Sequence, residues 1–231
     1  MFPLNDTEPN RYIRFPFMVV TLIMLNVMVM GIELAIIWQG ETAFMDFIYR
    51  FGLVPTAILA REGGGALSAV TQMFLHAGFW HLFGNMLGLW VYGRRVEDAC
   101  GPWRFLFFYL TCGVFAEIVY TLARAQSDLA GIGASGAVFG VMGAYLILYP
   151  AGYIRTLIIL GVVPILPKIR AFWLILYFVG LQIIPAVNTL FSQARYQVAH
   201  WAHLGGFIGS LAIFFFLRPE LFHRYRNDLH L

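Results

Sequence analysis

Three polar stretches stand out from an otherwise apolar chain of 231 residues: GIGASG (131–136) with Ser135, AHWAHLGG (199–206) with His203, and FLHAGFWHLFGNM (74–86) with His81 and Asn85. A serine hydroxyl beside a neutral imidazole is the minimum apparatus for nucleophilic acyl transfer, because histidine titrates near neutrality and can take the hydroxyl proton. His81 and Asn85 are four residues apart and so share a helix face. Both carry N–H donors suited to a developing oxyanion. If a helix begins near Gly131, Ser135 falls in its first turn, where backbone N–H groups lack intrahelical acceptors and the helix dipole favours negative charge.

Each feature also has a plainer reading. Serine among glycines in a membrane helix commonly serves close packing. A glycine-flanked serine also marks the nucleophile elbow of soluble hydrolases, but that elbow follows a strand, and ARAQSDLAGI reads as none. His203 or the His81–Asn85 pair could be interhelical hydrogen-bonding groups. What favours chemistry is the company they keep. Gly136, Gly140 and Gly143 line one helix face, and Gly206 and Ser210 lie on His203's face. Two such small-residue faces allow the approach that brings hydroxyl to imidazole. A third acidic member is missing: Asp128 reads as loop, and Glu97 and Asp98 fall at the opposite end of their helix. A membrane-embedded carboxylate is costly, so a Ser–His dyad is the economical arrangement. His76 and His200 are expected nearer the water, as loop anchors. A rival reading makes His76, His81, His200 and His203 ligands of a metal or haem. Against it, no carboxylate or cysteine is expected at matching depth, and the glycine–serine motif is left unused. No metal or other cofactor is therefore expected.

The elements that must position these residues are membrane helices. The chain is 60% hydrophobic and 12% charged, with mean hydropathy +0.75. Soluble domains carry about 25% charged residues. The net charge of +3 does not indicate nucleic acid, since the basic residues lie in short loops and form no continuous patch. A span needs about 20 predominantly apolar residues, and six stretches qualify: 16–38, 77–93, 103–123, 132–150, 171–191 and 198–217. The segment 153–170 is apolar too, but Pro164 and Pro167 break it, and it reads as an interfacial or re-entrant loop. With six spans and both termini in the cytoplasm, eleven of the fifteen Lys and Arg residues fall inside, which satisfies the positive-inside rule. Spans 2, 4 and 6 then enter from the outer side, and their first turns carry the three polar stretches at one depth. A polar cavity opening outward between them is expected. The organisation is a short cytoplasmic N-terminus (1–15), a membrane domain (16–217) and a cytoplasmic tail (218–231). The N-terminus lacks the order of a signal peptide. The long first outer loop (39–75) reads as lying against the membrane, and Cys100 and Cys112 as unpaired.

At this point the chain resembles the rhomboid family of intramembrane serine proteases. FLHAGFWHLFGNM, VYGRRVEDACG, GASGAVFGVMGAY and AHWAHLGGF follow the family's order and spacing across residues 74–207. The resemblance implies an all-α, six-transmembrane-helix bundle of the minimal bacterial type in the cytoplasmic (inner) membrane, with its active site facing outward. It makes Ser135 the nucleophile, His203 the base, and His81 and Asn85 the oxyanion-stabilising side chains, joined by the Ser135 backbone N–H. Phe139 matches an aromatic position that stacks on the catalytic histidine, and Glu97 a structural glutamate that helps to hold the first loop. The implied partners are the lipid bilayer and transmembrane protein substrates entering laterally, which in this family involves movement of span 5. A non-catalytic relative that grips membrane helices is the alternative the resemblance leaves open. The first loop lacks the Trp–Arg pair of many members, and Ser210 stands where glycine is usual. Oligomeric state is not specified by any of these features.

Overall fold

The computed structural model describes residues 1–62, 64–191 and 199–226. The chain is mostly helical. Strand β1 (Phe2–Asp6) precedes α1 (Phe17–Ile37); α2 (Glu41–Phe51), α3 (Pro55–Ala60) and α4 (Ser68–Thr71) follow it as short helices. Next come α5 (Phe79–Gly88) and α6 (Arg94–Cys100), joined through a π-helical stretch at Leu89–Gly93, and then α7 (Pro102–Ala123) and α8 (Ser135–Leu148). Strands β2 (Tyr153–Leu160), β3 (Val163–Ile165) and β4 (Lys168–Arg170) lead into α9 (Ala171–Phe191) and α10 (His200–Arg226). Helix thus occupies each of the six apolar stretches. Among the described residues, α1, α7 and Ala171–Thr189 of α9 are each long and apolar enough to cross a membrane, while α8 is a shorter apolar helix. Residues 227–231 of the expected tail 218–231 lie outside the described residues, as does the whole of the connection 192–198.

The all-α expectation is corrected at 153–170, where the segment read as an interfacial or re-entrant loop is built of strands. It forms a small sheet in which β2 pairs antiparallel with β1 on one side and with β3 and β4 on the other. The β-branched run in YIRTLIIL suits a strand, and the two prolines forbid a helix. Leu160 faces Val163 across a two-residue turn whose first residue, Gly161, has φ 62°. A tight hairpin requires a positive φ at that position.

The end of the molecule opposite Ser135 is pinned by carboxylates. Asp6, which ends β1, pairs with Arg94 and Arg95 and is 2% exposed. Asp98 accepts the backbone N–H groups of Arg11, Tyr12 and Ile13 at 2.7–2.9 Å. Glu97 accepts those of Met18 and Val19, each at 2.8 Å. The first turn of α1 follows Pro16, which supplies no side-chain cap, so Glu97 satisfies N–H groups that the helix itself cannot. The expectation that Glu97 holds the first loop is therefore corrected: it anchors the start of α1, because α6 ends beside that turn.

The core lies where α7, α8 and α10 meet. A Cβ on Gly136 would meet Ala116 Cβ at 2.7 Å, and one on Gly140 would meet Cys112 Cβ at 2.5 Å, so α8 rests directly on α7. A Cβ on Gly143 would collide with Ser210 Oγ, which reflects the same close approach to α10. Cys100 and Cys112 are both buried.

Candidate active site

Ser135 is the first residue of α8, reached through a backbone held on both sides. Gly131 exchanges two backbone hydrogen bonds with Leu53 (2.7 and 3.0 Å), and the Gly133 N–H donates to the Gln72 carbonyl at 2.8 Å. Gly133 has φ 123°, and a Cβ there would lie 2.8 Å from His81 Nε2. Only glycine fits both that backbone and that space. The first intrahelical bond joins the Val138 N–H to the Ala134 carbonyl. The Ser135, Gly136 and Ala137 N–H groups precede it and have no acceptor within the helix.

His203, in the first turn of α10, places Nε2 at 2.8 Å from Ser135 Oγ. Its ring lies flat against Phe139, one turn along α8, with centroids 4.5 Å apart and 7° between planes. The other ring nitrogen, Nδ1, is 2.8 Å from Oε1 of Gln182 on α9. His81 Nδ1 accepts the Ala77 N–H at 3.2 Å. That leaves the ring proton on Nε2, the nitrogen beside Gly133. The Asn85 amide lies one turn further along α5, its Nδ2 donating to the His81 carbonyl at 3.0 Å. The structure thus brings together all five residues singled out by spacing and resemblance.

His76 departs from its expected place near water. It is 1% exposed, its N–H donates to the carboxylate of Glu33 at 3.0 Å, and its ring meets that of His81 edge-on at 5.1 Å. The reason is Glu33, a fully buried carboxylate on α1 that draws the turn before α5 inward. His200 is half-buried, with Nδ1 2.7 Å from the same Gln182 oxygen. Among the described residues no three His, Cys, Asp or Glu side chains are grouped so as to hold a metal ion.

A cavity of about 290 Å³ reaches Ser135, His81 and Asn85, but its walls differ from those expected. It lies between α5 (Trp80, Gly84, Gly88), α8 (Val138, Phe139, Met142) and α9 (Phe178), with Met1–Pro3 of the N-terminal segment also lining it. Helix α10 stands behind α8 and contributes none of these lining residues, since the glycine faces press those two helices together and leave no room between them. The walls are largely apolar, so the cavity suits a hydrocarbon-like occupant next to a few fixed donors.

Two residues at this site, Gln182 and Glu33, lie outside the set that the sequence motifs single out. The signal for each is a lone polar side chain inside an apolar run, YFVGLQIIP and MVMGIELAI, a placement that is costly without a purpose.

A membrane-type helical protein with a hydroxyl, an imidazole and a row of N–H donors around one apolar cavity is the class that fold and site define. The Rhomboid domain family profile matches residues 64–220, and the chain belongs to that family. It is similar to Rhomboid protease GluP of Bacillus subtilis (34% identity over 108 residues, 47% of this chain and 20% of that protein). It is also similar to Putative rhomboid protease YdcA of the same organism (38% over 77 residues, 33% and 38%) and to RHOMBOID-like protein 5 of Arabidopsis thaliana (36% over 85 residues, 37% and 28%). The matched stretches span 20 to 38% of the length of these relatives.

Proposed function

We propose that the chain is an intramembrane serine endopeptidase that cleaves transmembrane helices near the outer face of the membrane. Its fold would be a six-span bundle with both termini in the cytoplasm. The observation that carries this reading is the 2.8 Å contact between His203 Nε2 and Ser135 Oγ, set against N–H donors on the far side of the serine. His203 takes the Ser135 proton as Oγ attacks the scissile carbonyl carbon. The resulting oxyanion is met by the Ser135 N–H, the His81 Nε2–H and the Asn85 amide. His203 then gives the proton to the leaving amine, the C–N bond breaks, and an ester to Ser135 remains. Water attacks that ester, with its proton going to His203, and the serine and a carboxylic acid are released. The peptide bonds of a substrate helix are internally satisfied, so the helix must unwind locally before attack. Segments weakened by glycine or other small residues should be preferred. The apolar cavity between α5, α8 and α9 supports sideways entry from the bilayer.

Labelling of the detergent-purified protein with a fluorophosphonate tests this. The wild type should label, and Ser135→Ala and His203→Ala should not. A folded wild type that fails to label would favour the non-catalytic, helix-gripping alternative.

A further inference from the structure

We infer that Gln182 is the positioning residue for His203, so that the assembly is a Ser–His–Gln relay whose third member is delivered by α9. The inference rests on the serine–histidine reading above and adds a residue to it. A serine–histidine pair works as nucleophile and base only in one imidazole tautomer, with the proton on Nδ1 and a lone pair on Nε2 facing the hydroxyl. An acceptor at Nδ1 selects that tautomer and holds the ring in plane. Gln182 Oε1 sits at that point, 2.8 Å from His203 Nδ1, while Nε2 of the same imidazole is 2.8 Å from Ser135 Oγ.

The orientation of the amide follows from its other end. Gln182 Nε2 donates to the Phe178 carbonyl at 3.2 Å. Turning the amide over would set two oxygens against each other there and present an N–H to His203, forcing the unproductive tautomer. His200 Nδ1 reaches the same oxygen at 2.7 Å. A carbonyl oxygen has two lone pairs and can accept from both rings, so the two histidines hold the amide as firmly as it holds them. Phe139 packs flat on one face of His203. The ring is thereby fixed by a stack, an acceptor and the hydroxyl it serves.

The helix carrying Gln182 is also a wall of the cavity. Phe178, whose carbonyl takes the Gln182 amide, lines the space beside Ser135. A substrate that displaces this wall therefore pulls on the group that sets the base, and occupancy of the cavity is coupled to the state of His203.

Two readouts test the role, using full-length protein in detergent. Selective ¹⁵N labelling of histidine reports the protonated nitrogen of His203, with its signals assigned by their loss in His203→Asn. Fluorophosphonate labelling rate reports the reactivity of Ser135. In wild type the His203 proton should sit on Nδ1. Gln182→Leu, of similar size with no acceptor, should give a mixture of tautomers and slow labelling about tenfold or more, the share of rate that one hydrogen bond to a developing charge carries. Gln182→Glu, assayed at a pH where its carboxyl is protonated so that the O–H replaces the amide donor to the Phe178 carbonyl, keeps an oxygen at the same reach and should restore most of both. Unchanged tautomer and labelling rate in a folded Gln182→Leu variant would overturn the inference and leave the protease reading intact, whereas a wild-type proton found on Nε2 would overturn the inference and count against His203 as the base. A wild type that does not label, yet whose His203 signals still respond to Gln182→Leu, would uphold the positioning role and remove the protease reading.

Discussion

Gly206 approaches Gly136 so closely that a Cβ on Gly206 would collide with the Gly136 carbonyl oxygen. The obstacle is backbone of the helix that begins with Ser135, so it cannot swing aside as a side chain can. Gly206→Ala must push α10 away from α8 and carry His203 with it. Loss of fluorophosphonate labelling and a destabilisation of about 1–3 kcal/mol, typical of overpacking, are expected. Gly143→Ala, which meets the Ser210 hydroxyl instead, should cost less. Thermal unfolding of both variants in one detergent gives the comparison, and equal losses would contradict it.

His81→Ala and Asn85→Ala should each slow substrate cleavage by about 10²–10³-fold, the effect of removing one oxyanion donor. Thermal stability should change far less than activity. A cleavage rate within twofold of wild type in either variant would take that side chain out of the oxyanion role.

Phe139→Ala removes the ring that lies parallel to His203 at 4.5 Å. Stacks of this kind contribute about 0.5–1.5 kcal/mol beyond burial, so the labelling rate should fall severalfold. Phe139→Tyr keeps the flat face and should retain most of the rate, whereas Phe139→Leu should behave like Ala.

At the other end, Glu97→Ala leaves the Met18 and Val19 N–H groups buried without the carboxylate they now share. An unsatisfied buried donor costs about 1–3 kcal/mol. Glu97→Gln keeps one acceptor oxygen and should lose about half as much. Chemical denaturation read by Trp fluorescence checks the order. Residual labelling at low temperature should be unaffected, since Glu97 lies in α6 beside α1 and away from Ser135.

Much of this arrangement was legible in residue spacing. The i, i+4 placement of His81 and Asn85, and the glycine faces of α8 and α10, are local regularities, and a helix converts them directly into shared surfaces. The positions of helices within the six apolar stretches were legible for the same reason, and among the described residues three of them reach the length a bilayer imposes. What escaped depends on long-range partners. The strand 153–160 takes one of its edges from residues 2–6, far away in sequence, while its other edge is covered by the nearby β3 and β4. Gln182 stands out as a polar intruder in α9, but its meeting with His203 depends on how α9 leans on α10, which no periodicity encodes. Glu97 could not be matched to α1 in advance, because a carboxylate does not reveal whose N–H groups it will cap. A cavity among the helices that carry the polar residues is a natural expectation, and the one at Ser135 does lie between α5 and α8, but α9 stands where α10 was expected.

The pairing of β1 with β2 sets an order of events during synthesis. Phe2 meets Leu157, so the first strand leaves the ribosome about 150 residues before its partner exists, a loop whose closure is slow and late. Asp6 can find Arg94 and Arg95 sooner, as α6 emerges, and would tether the waiting strand beside the place where the sheet will form. Closure then requires that α8, with Ser135 at its head, has already been made. The sheet thus acts as a late latch, set only after the serine-bearing helix is in place, and a chain interrupted before Tyr153 would have its hydroxyl but no sheet to close the opposite end of the bundle.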